Sequence, residues 1–531
     1  MNAATDPTPT SEVPPPVATH PGGRIEARAA KISIVNGVTT VLTMVFQIVS
    51  VPVCLKQWGR EPYGTWLALF SAFMLLRSLD GGFVTYVGNE LNFLYHRDQN
   101  ALRRHLASAV TGIFVISALQ LALAAGTLFV EPIAAALGVP ATHTDALGSR
   151  YGLILLMISW TVTGSYLGLV HRLMIPAGLM YQAAWWAMGF QVTQFAATMA
   201  AALLHLDMLH TSVLFALSQV VIYISSAYYV RVKQPAFTPW LRDLDPATGL
   251  TDLGKSLAVT GSNLIQQGAI NGAVVLVAAL AGPVAVPIFT TIRTIANLWT
   301  SVTTVLTQPL LPEVVRLHAT GQGHKLVALN QAYWVTVGSI VNWGALLSFP
   351  LLPLLYAWWT RHAVGLDHSL LCFMLASVVA ANAGALMTLH LNGINRLRLV
   401  LGTSVVRAAL SLGVGAAGFA RLGLTSFGIG IFAGELGAAL LTGRYFFKTE
   451  LAQHRTGSAE ASLGPVLLGT GSTLVFFTGS AFGWWSGMWP WAAAVAAAAF
   501  ATRWGWSTLD NVLRNRLVDL ATAAFRRLSP R

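Results

Sequence analysis

The chain has 531 residues, of which 55% are hydrophobic and only 10% are charged. A soluble domain carries about a quarter charged residues, so this composition excludes a soluble globular protein and predicts one that crosses a membrane many times. The net charge of +12 would suggest nucleic-acid binding in a soluble protein. Here most basic residues fall in short loops between apolar segments, where they orient the chain in the bilayer, so no nucleic-acid partner is predicted.

The first residues are rich in Pro, Thr and Ala and contain no apolar core. This composition differs from that of a signal peptide and predicts a disordered cytoplasmic tail over residues 1–31. Hydropathy then predicts about fourteen membrane-spanning helices, each near the ~20 residues that a bilayer requires. Their expected extents are 32–55, 63–87, 106–130, 151–170, 183–205, 211–230, 256–281, 284–310, 330–356, 368–391, 398–419, 424–446, 464–481 and 484–502.

The predicted spans form two sets of six, with two further spans after them. The expected units are an N-terminal six-helix lobe (32–230), a cytoplasmic linker (231–255), a C-terminal six-helix lobe (256–446), two additional transmembrane helices (464–502) and an amphipathic cytoplasmic tail (504–531). With the N-terminus in the cytoplasm, the inside segments carry roughly five times as many Lys and Arg residues as the outside loops. This asymmetry predicts an even number of spans and two cytoplasmic termini.

The second predicted span contains charged residues and paired glycines within YGTWLALFSAFMLLRSLDGGFVTYVGNELN (Tyr63 to Asn92). Arg77 and Asp80 would each cost about 2.5–3.5 kcal/mol at the centre of a bilayer. Either the two charges neutralise each other at their i,i+3 spacing, or the helix lines a polar cavity where Arg77 is available to a ligand. Paired glycines allow the backbone to bend or to approach another helix closely.

The two halves of the chain share a faint repeat. The stretches Leu55 to Leu76 and Leu276 to Trp299 each contain a span that ends at a glycine, Gly59 or Gly282, and a tight outside turn that leads into the next span. Membrane transporters are often built from such repeats and bind their substrates where the repeats meet. The repeat therefore predicts a binding site between the two halves.

Two segments resemble a known family. The stretch VPVCLKQWGREPYGTWLALFSAFMLLRSLDGGF is similar to the first two spans of Wzx-type polysaccharide flippases of the multidrug/oligosaccharidyl-lipid/polysaccharide exporter (MOP) superfamily. The matching positions are Trp58-Gly59, Tyr63-Gly64 and Leu79-Asp80-Gly81-Gly82, and LNGINRLRLV (Leu391 to Val400) is similar to the family's loop after the tenth span. The resemblance covers roughly residues 30–450.

The resemblance implies an all-α polytopic membrane protein with two six-helix lobes around a central cavity and two added C-terminal helices. It also implies a transporter of the bacterial inner membrane that flips undecaprenyl-diphosphate-linked oligosaccharides to the outer leaflet by alternating access. The expected partners are the lipid-linked oligosaccharide, membrane lipids, and the polysaccharide polymerase and chain-length proteins. No motif identifies the sugar.

A diphosphate cargo requires fixed cations, and arginine suits it because the planar guanidinium donates two parallel hydrogen bonds and stays charged. Arg77 lies in the second span and Arg293 in the eighth, which are corresponding spans under the repeat. We therefore expect both side chains to face one cavity and to bind the diphosphate. The alternative for Arg293 is that it reaches the membrane surface or pairs with a carboxylate.

The seventh span carries amides on one helical face, in the sequence GSNLIQQGAINGAVV. Amides facing lipid would lack hydrogen-bond partners, so this face meets either the cavity, where it could bind sugar hydroxyls, or a neighbouring helix. Both interpretations remain open for the four residues, which are Asn263, Gln266, Gln267 and Asn271.

Two carboxylates within the spans are candidates for binding a coupling ion: Asp80 and Glu435. Glu435 lies in the twelfth span beside Gly430 and Gly434, a small-residue pair that favours close helix packing. The alternative for Glu435 is a structural ion pair with Arg407 in the neighbouring span.

Motifs for enzymatic chemistry are missing. The sequence contains no GxxxxGK[ST] or HExxH motif, and its two cysteines, Cys54 and Cys372, lack metal-binding spacing. We therefore predict no catalytic residue, metal or cofactor. Two other functions remain as alternatives: a cation-coupled multidrug antiporter of the same superfamily, which would need a more acidic cavity, and a membrane-embedded polymerase or glycosyltransferase, which would need catalytic acids or a large external loop.

Overall fold

The computed structural model describes residues 22–95, 97–139, 145–394, 396–451, 457–485, 487–509, 511 and 514–515. Within these ranges the chain forms helices joined by short turns and contains no strand. With its many long apolar helices, the chain is an all-α polytopic membrane protein, as the sequence predicted.

The helices have the following bounds. They are α1 (Gly22–Gln57), α2 (Arg60–Leu94), α3 (Gln99–Phe129), α4 (Glu131–Ala136), α5 (Ala146–Trp160), α6 (Tyr166–His171), α7 (Met180–Leu203), α8 (Met208–Lys233), α9 (Pro246–Gln267), α10 (Ala273–Ala281), α11 (Ala285–Thr307), α12 (Leu311–Ala319), α13 (Gly323–Tyr333), α14 (Ser339–Ser348), α15 (Leu352–Trp359), α16 (His368–Gly393), α17 (Leu397–Leu422), α18 (Thr425–Phe446), α19 (Gly457–Ala481) and α20 (Trp489–Thr508). Four π-helical segments continue or join them: Thr161–Ser165, Gly268–Gly272, Trp334–Gly338 and Phe447–Leu451. Short 3₁₀ turns occupy Arg172–Met174, Pro235–Phe237 and Gln308–Leu310.

Among the described residues, ten continuous helical stretches are long and apolar enough to cross a membrane. An eleventh span is present if the stretches Gly323–Ser348 and Leu352–Trp359, which meet at a bend of 72°, are counted together. The prediction of about fourteen spans is higher because it includes α7, α11 and α20, which lie at the predicted positions but do not meet this criterion. Glutamines in α7 and threonines in α11 interrupt their apolar character.

The ends of the chain differ from the prediction. Helix α1 begins at Gly22, within the stretch 1–31 that the sequence predicted as a disordered tail, and residues 1–21 lie outside the described ranges. At the other end, α20 continues to Thr508 and includes the start of the predicted amphipathic tail, most of which also lies outside the described residues.

Buried apolar side chains form three clusters. Two of them join α2, α3 and the helices from α4 to α8, one around Leu69 and Phe215 and the other around Phe83 and Leu106. The third is built mainly from α10 to α20, with Phe427 among its fully buried side chains. Helix α1 contributes Val51, Cys54 and Leu55 to this third cluster; it packs mainly against α7 and also contacts α11 and α15 of the second half.

The turns after α1 and α10 have the same backbone conformation. Gly59 has φ 81° and ψ −175°, and Gly282 has φ 78° and ψ 171°. This region of φ/ψ space is accessible essentially only to glycine. The faint sequence repeat therefore corresponds to a repeated structural turn.

Helix α2 runs antiparallel to α9 and α10 and packs closely against both, from Thr260 in α9 to the turn after α10. A Cβ atom on Gly64 would lie 1.8 Å from the carbonyl oxygen of Pro283, and one on Gly82 would lie 2.2 Å from the Cα of Thr260. Since α2 is continuous from Arg60 to Leu94, its paired glycines permit close approach to α9 and do not produce a bend.

The beginning of α9 is also attached to α3. The backbone N–H of Asp245 donates a hydrogen bond to Ser108 Oγ at 2.9 Å, and His105 Nδ1 lies 2.6 Å from the buried carboxylate of Asp252. A Cβ on Gly249 would lie 2.2 Å from the Ser108 carbonyl oxygen. Helix α9 therefore joins the two halves of the chain, because its first turns contact α3 while its continuation contacts α17.

We predict that Gly82→Ala lowers the thermal stability of the purified protein, because the added methyl group cannot fit against the Thr260 backbone unless the helices separate. Overpacking of this kind costs about 1–3 kcal/mol. Gly261→Ala is the matched control, since a Cβ at Gly261 meets nothing within 4 Å. Equal melting temperatures for the two variants would contradict the close α2–α9 contact.

Candidate functional site

A cavity of about 670 Å³ lies among α9, α11, α16, α17 and α18. All of its described lining belongs to the second half of the chain, so this cavity does not lie between the two halves, where the repeat predicted the site. Its volume falls within the ~300–1,000 Å³ that is common for small-molecule sites. The lining runs from Arg293 and Glu435 to Gln308 and Asn392, which lie at helix ends that the sequence analysis predicted to be cytoplasmic. The cavity therefore extends from the interior of the helix group toward one face of the membrane.

Most of the side chains that line this cavity are polar, and the described lining contains no aromatic residue. The lining residues are Gln266, Ala269, Ile270, Arg293, Ala296, Asn297, Thr300, Thr303, Thr304, Thr307, Gln308, Met374, Ser377, Val378, Ala381, Asn382, Ala385, Thr388, Leu389, Asn392, Val400, Thr403, Ser404, Arg407, Ser411, Ile431 and Glu435. The lining therefore offers hydrogen-bonding groups to a ligand that carries hydroxyl or anionic groups, beside apolar surface from its Ala, Val, Leu, Ile and Met side chains.

Helix α11 presents a row of threonines to the cavity: Thr300, Thr303, Thr304 and Thr307. The Oγ1 of Thr304 donates to the Thr300 carbonyl at 2.9 Å, and the other three hydroxyls also donate to carbonyls four residues earlier in the helix. Because these protons are used within the helix, the hydroxyl oxygens act as acceptors toward a ligand. We call these four residues the threonine row.

The sequence analysis did not identify the threonine row, although its signal was visible. The threonines recur after Arg293 at the spacing of one helical face in TIRTIANLWTSVTTVLT. Asn297 lies on the same face and also lines the cavity. Threonine is common in membrane helices, so only the position of α11 beside the cavity distinguishes this row from ordinary helix surface.

Arg293 lines the cavity as predicted from its position in the eighth span. Its Nη1 donates to the carbonyl oxygen of Ile270 at 2.5 Å, and its Cζ lies 5.9 Å from the ring centroid of Phe289. Ile270 belongs to the π-helical segment Gly268–Gly272, where the helical hydrogen-bond pattern changes and a carbonyl can accept a side-chain donor. Among the described residues, no carboxylate forms an ion pair with Arg293, so its charge faces the cavity.

Arg407 and Glu435 form an ion pair at the same cavity. The Nε of Arg407 donates to a carboxylate oxygen of Glu435 at 2.8 Å, and both residues belong to the lining. Gly430 and Gly434 bring α17 and α18 together, since a Cβ on Gly434 would lie 3.0 Å from the Arg407 carbonyl oxygen. The structure therefore contains the pair that the sequence left as an alternative to ion coupling.

Arg77 lies outside this cavity. Its Cζ is 4.1 Å from the ring centroid of Trp160, which is a cation–π contact within the first half of the chain. Arg77 comes 18 residues after Gly59, whereas Arg293 comes 11 residues after Gly282. At 1.5 Å per residue, Arg77 lies about 10 Å further from its turn glycine along the helix than Arg293 does. The structure therefore does not bring the two arginines together as we expected.

Asp80 is a buried carboxylate near Arg77 but does not form an ion pair with it in the described structure. It accepts a hydrogen bond from Trp160 Nε1 at 2.8 Å and a short one from Ser165 Oγ. Ser165 ends the π-helical segment Thr161–Ser165. The alternative that Arg77 and Asp80 neutralise each other by direct contact is therefore wrong.

The amide face of the seventh span divides between the cavity and helix contacts. Gln266 lines the cavity. Asn263 Nδ2 donates to the Ser78 carbonyl at 3.1 Å and so joins α9 to α2, and Asn271 Nδ2 donates to Gln267 Oε1 at 2.9 Å. Of the four predicted amides, the structure thus brings only Gln266 to the cavity that contains Arg293.

Solved structures with a similar fold are transport proteins. The chain matches the lipid II flippase MurJ in an inward closed conformation with a TM-score of 0.67 and 9% identity, over 91% of this chain and 100% of that chain. It matches the inward-facing conformation of a multidrug resistance MATE family transporter of the MOP superfamily with a TM-score of 0.60 and 16% identity, over 80% and 99% of the two chains. A mutant of the Vibrio cholerae MATE transporter VcmN gives a TM-score of 0.54 and 17% identity, over 80% and 98%.

These similarities show that the chain has the fold of MATE transporters and MurJ. No protein-family model matches the chain, and no curated protein matches it at a significant level. Within the described ranges, no group of three or more His, Cys, Asp and Glu residues is arranged to hold a metal ion.

We predict that Thr300→Cys reacts with a charged, water-soluble maleimide in membrane vesicles, because this position faces the polar cavity. The native Cys54 and Cys372 are buried and should give little background labelling. Val305→Cys is the matched control on the same helix: its side chain is exposed outside the cavity lining, where a thiol in lipid does not ionise. Equal labelling of the two positions would show that no water-filled cavity borders α11.

Proposed function

We propose that this protein flips an undecaprenyl-diphosphate-linked oligosaccharide from the cytoplasmic to the periplasmic leaflet of the bacterial inner membrane. The observation that carries the proposal is the composition of the cavity. The cavity contains Arg293, which has no carboxylate partner among the described residues, and the threonine row, whose hydroxyl oxygens are hydrogen-bond acceptors. Its described lining lacks aromatic side chains.

Each part of such a cargo has a matching feature in the cavity. Arg293 supplies a positive charge for the diphosphate, and a partly buried site strengthens that attraction compared with bulk water. The threonine row and Gln266 offer acceptors and donors to sugar hydroxyls. The polyprenyl chain needs no polar partner and can remain in the lipid around the helices.

The fold supports transport by alternating access between an N-terminal lobe (32–230) and a C-terminal lobe (256–446). The cavity extends toward the helix ends assigned to the cytoplasm, which suits loading from the inner leaflet. Rearrangement at the α2–α9 contact would then close that side and open the other. The similarity in fold to MurJ, a lipid II flippase, agrees with a lipid-linked cargo. A polymerase and chain-length proteins would act on the glycan after its release.

The structure changes the roles that we assign to the other predicted residues. Asn263, Gln267 and Asn271 make helix contacts, so we assign them to packing and not to cargo binding. Arg77 contacts Trp160 outside the cavity and is not assigned to the diphosphate. Asp80 remains our candidate for a coupling-ion site in the first half of the chain, because its buried carboxylate has only neutral hydrogen-bond partners.

A cation-coupled multidrug antiporter is the second candidate. It is favoured by the fold similarity to MATE transporters and by the buried carboxylate of Asp80. The cavity argues for the first candidate, because organic cations are recognised by aromatic rings and unpaired acids, whereas Glu435 is paired with Arg407. If the protein is an antiporter, its deletion should lower cellular resistance to cationic drugs. If it is a flippase, its deletion should abolish the surface glycan.

We predict that Arg293→Gln weakens the binding of inorganic pyrophosphate to the purified protein by at least about tenfold, because charged hydrogen bonds contribute about 1.5–3 kcal/mol each. Arg421→Gln is the matched control: Arg421 is an exposed arginine at the end of α17, outside the cavity. Calorimetry measures the affinity of both variants for pyrophosphate, and the export of surface glycan by cells that carry each variant gives a second comparison. Equal binding by the two variants would exclude Arg293 from the anion site.

We predict that the double substitution Thr300→Val and Thr304→Val reduces affinity for a glycan-bearing lipid diphosphate by about fivefold per hydrogen bond lost. Valine keeps the shape of threonine and replaces the hydroxyl with a methyl group, which removes the acceptor oxygen and its hydrogen bond to the carbonyl four residues earlier. The measurement compares undecaprenyl diphosphate with and without a linked oligosaccharide on the reconstituted protein. An equal loss for both lipids would show that the threonine row does not recognise the sugar.

A further inference from the structure

Three charged side chains line one cavity, but only two of them are paired. Arg407 is bonded to Glu435 through its Nε, while Arg293 faces the same space without a carboxylate partner in the described structure. The side chains of Arg407 and Glu435 are 30% and 21% exposed, so a ligand in the cavity can reach both. These three groups therefore give the cavity one net positive charge, since Glu435 neutralises Arg407.

We infer that Glu435 is an internal competitor for the cargo: it holds Arg407 while the cavity is empty and releases it to the diphosphate when the cargo binds. This inference rests on the proposed function, because it requires an anionic cargo in this cavity. It adds Arg407 as a second diphosphate-binding residue and assigns to Glu435 the control of binding and release.

The geometry of the pair favours such an exchange. The bond between Arg407 and Glu435 uses Nε alone, whereas a diphosphate can bond to the guanidinium through two parallel N–H groups. A diphosphate also carries more negative charge than one carboxylate and is attracted by Arg293 at the same time. Arg407 thus gains a stronger partner when it turns from Glu435 to the cargo.

The exchange requires movement of side chains and not of helices. Close contacts fix α17 against α18, since a Cβ on Gly430 would lie 2.7 Å from the Ser411 carbonyl oxygen and one on Gly434 would lie 3.0 Å from that of Arg407. The backbone therefore keeps Glu435 within reach of Arg407 throughout. When the cargo leaves, Glu435 is in position to bond to the arginine again and to oppose rebinding.

The charged groups that face Glu435 are Arg407 on α17 and Arg293 on α11. Once Arg407 bonds to the diphosphate, the Glu435 carboxylate loses its cation and lies beside added negative charge. This repulsion favours release of the cargo and the return of Arg407 to Glu435.

The test is a double-mutant cycle on inorganic pyrophosphate binding to the full-length protein in lipid nanodiscs. Glu435→Gln should tighten binding by about fivefold, the effect of a partly exposed ion pair, because Arg407 no longer has a competitor. Arg407→Gln should weaken binding by at least about tenfold. In the Arg407→Gln background, Glu435→Gln should no longer tighten binding.

The sign of the Glu435→Gln effect is a readout that a merely structural pair would not give, because loss of a structural pair would weaken binding. Glu435→Asp keeps a carboxylate on a shorter side chain and should not tighten binding as Glu435→Gln does. Glu435→Ala, which also removes the competing carboxylate, is the second variant if Glu435→Gln does not fold, and it should tighten binding as well.

The outcomes separate this inference from the proposed function. If Arg293→Gln weakens binding while Glu435→Gln leaves the affinity for pyrophosphate unchanged, the competitor role is wrong and the anion site stands. If Glu435→Gln weakens binding, the pair is a structural support for the site and the inference also fails. If pyrophosphate binding does not depend on Arg293, the proposed function fails first.

Discussion

A charged side chain within a bilayer must be paired, hydrogen-bonded or exposed to water, because isolated charge in hydrocarbon is costly. The five charged groups noted in the spans meet this requirement in different ways. Arg407 and Glu435 bond to each other, Asp80 accepts hydrogen bonds from an indole and a hydroxyl, and Arg77 lies over an aromatic ring. Only Arg293 combines a single carbonyl contact with an open cavity. Of these five groups, Arg293 is therefore the cation that is available to a ligand in the cavity.

Departures from regular helix geometry support two of these charged groups. The π-helical segment Thr161–Ser165 supplies Ser165 to Asp80, and the segment Gly268–Gly272 supplies the Ile270 carbonyl to Arg293. A π segment interrupts the regular helical hydrogen bonds and is frequently found at functional sites. Glycine contacts between α2 and α9 hold the first of these groups close to the second half of the chain.

The fold alone does not distinguish the possible cargoes. The chain has the fold of MurJ and of MATE transporters at 9–17% identity, so the helix arrangement persists while most side chains differ. The side chains on the cavity surface therefore determine which cargo can bind. Threonine acceptors, amides and arginine in the lining, with no aromatic side chain in its described part, favour a hydroxyl-rich anion over an organic cation. This is the physical basis of our preference for a lipid-linked glycan.

The sequence by itself determined the features that depend on local composition and short spacing. Apolar length predicted a polytopic helical protein, the echo between Gly59 and Gly282 predicted a repeated turn, and Gly430 with Gly434 predicted close helix packing. These properties are encoded within one segment at a time, so periodicity and hydropathy are enough to recognise them.

The tertiary structure decided which polar residues meet in one place. Arg77 and Arg293 occupy corresponding helices but different depths, and the amide face of the seventh span is shared between the cavity and two helix contacts. The threonine row became recognisable only once α11 was seen to border the cavity. Rotation and depth of a helix are set by packing against segments hundreds of residues away, and the helix's own sequence does not contain that information.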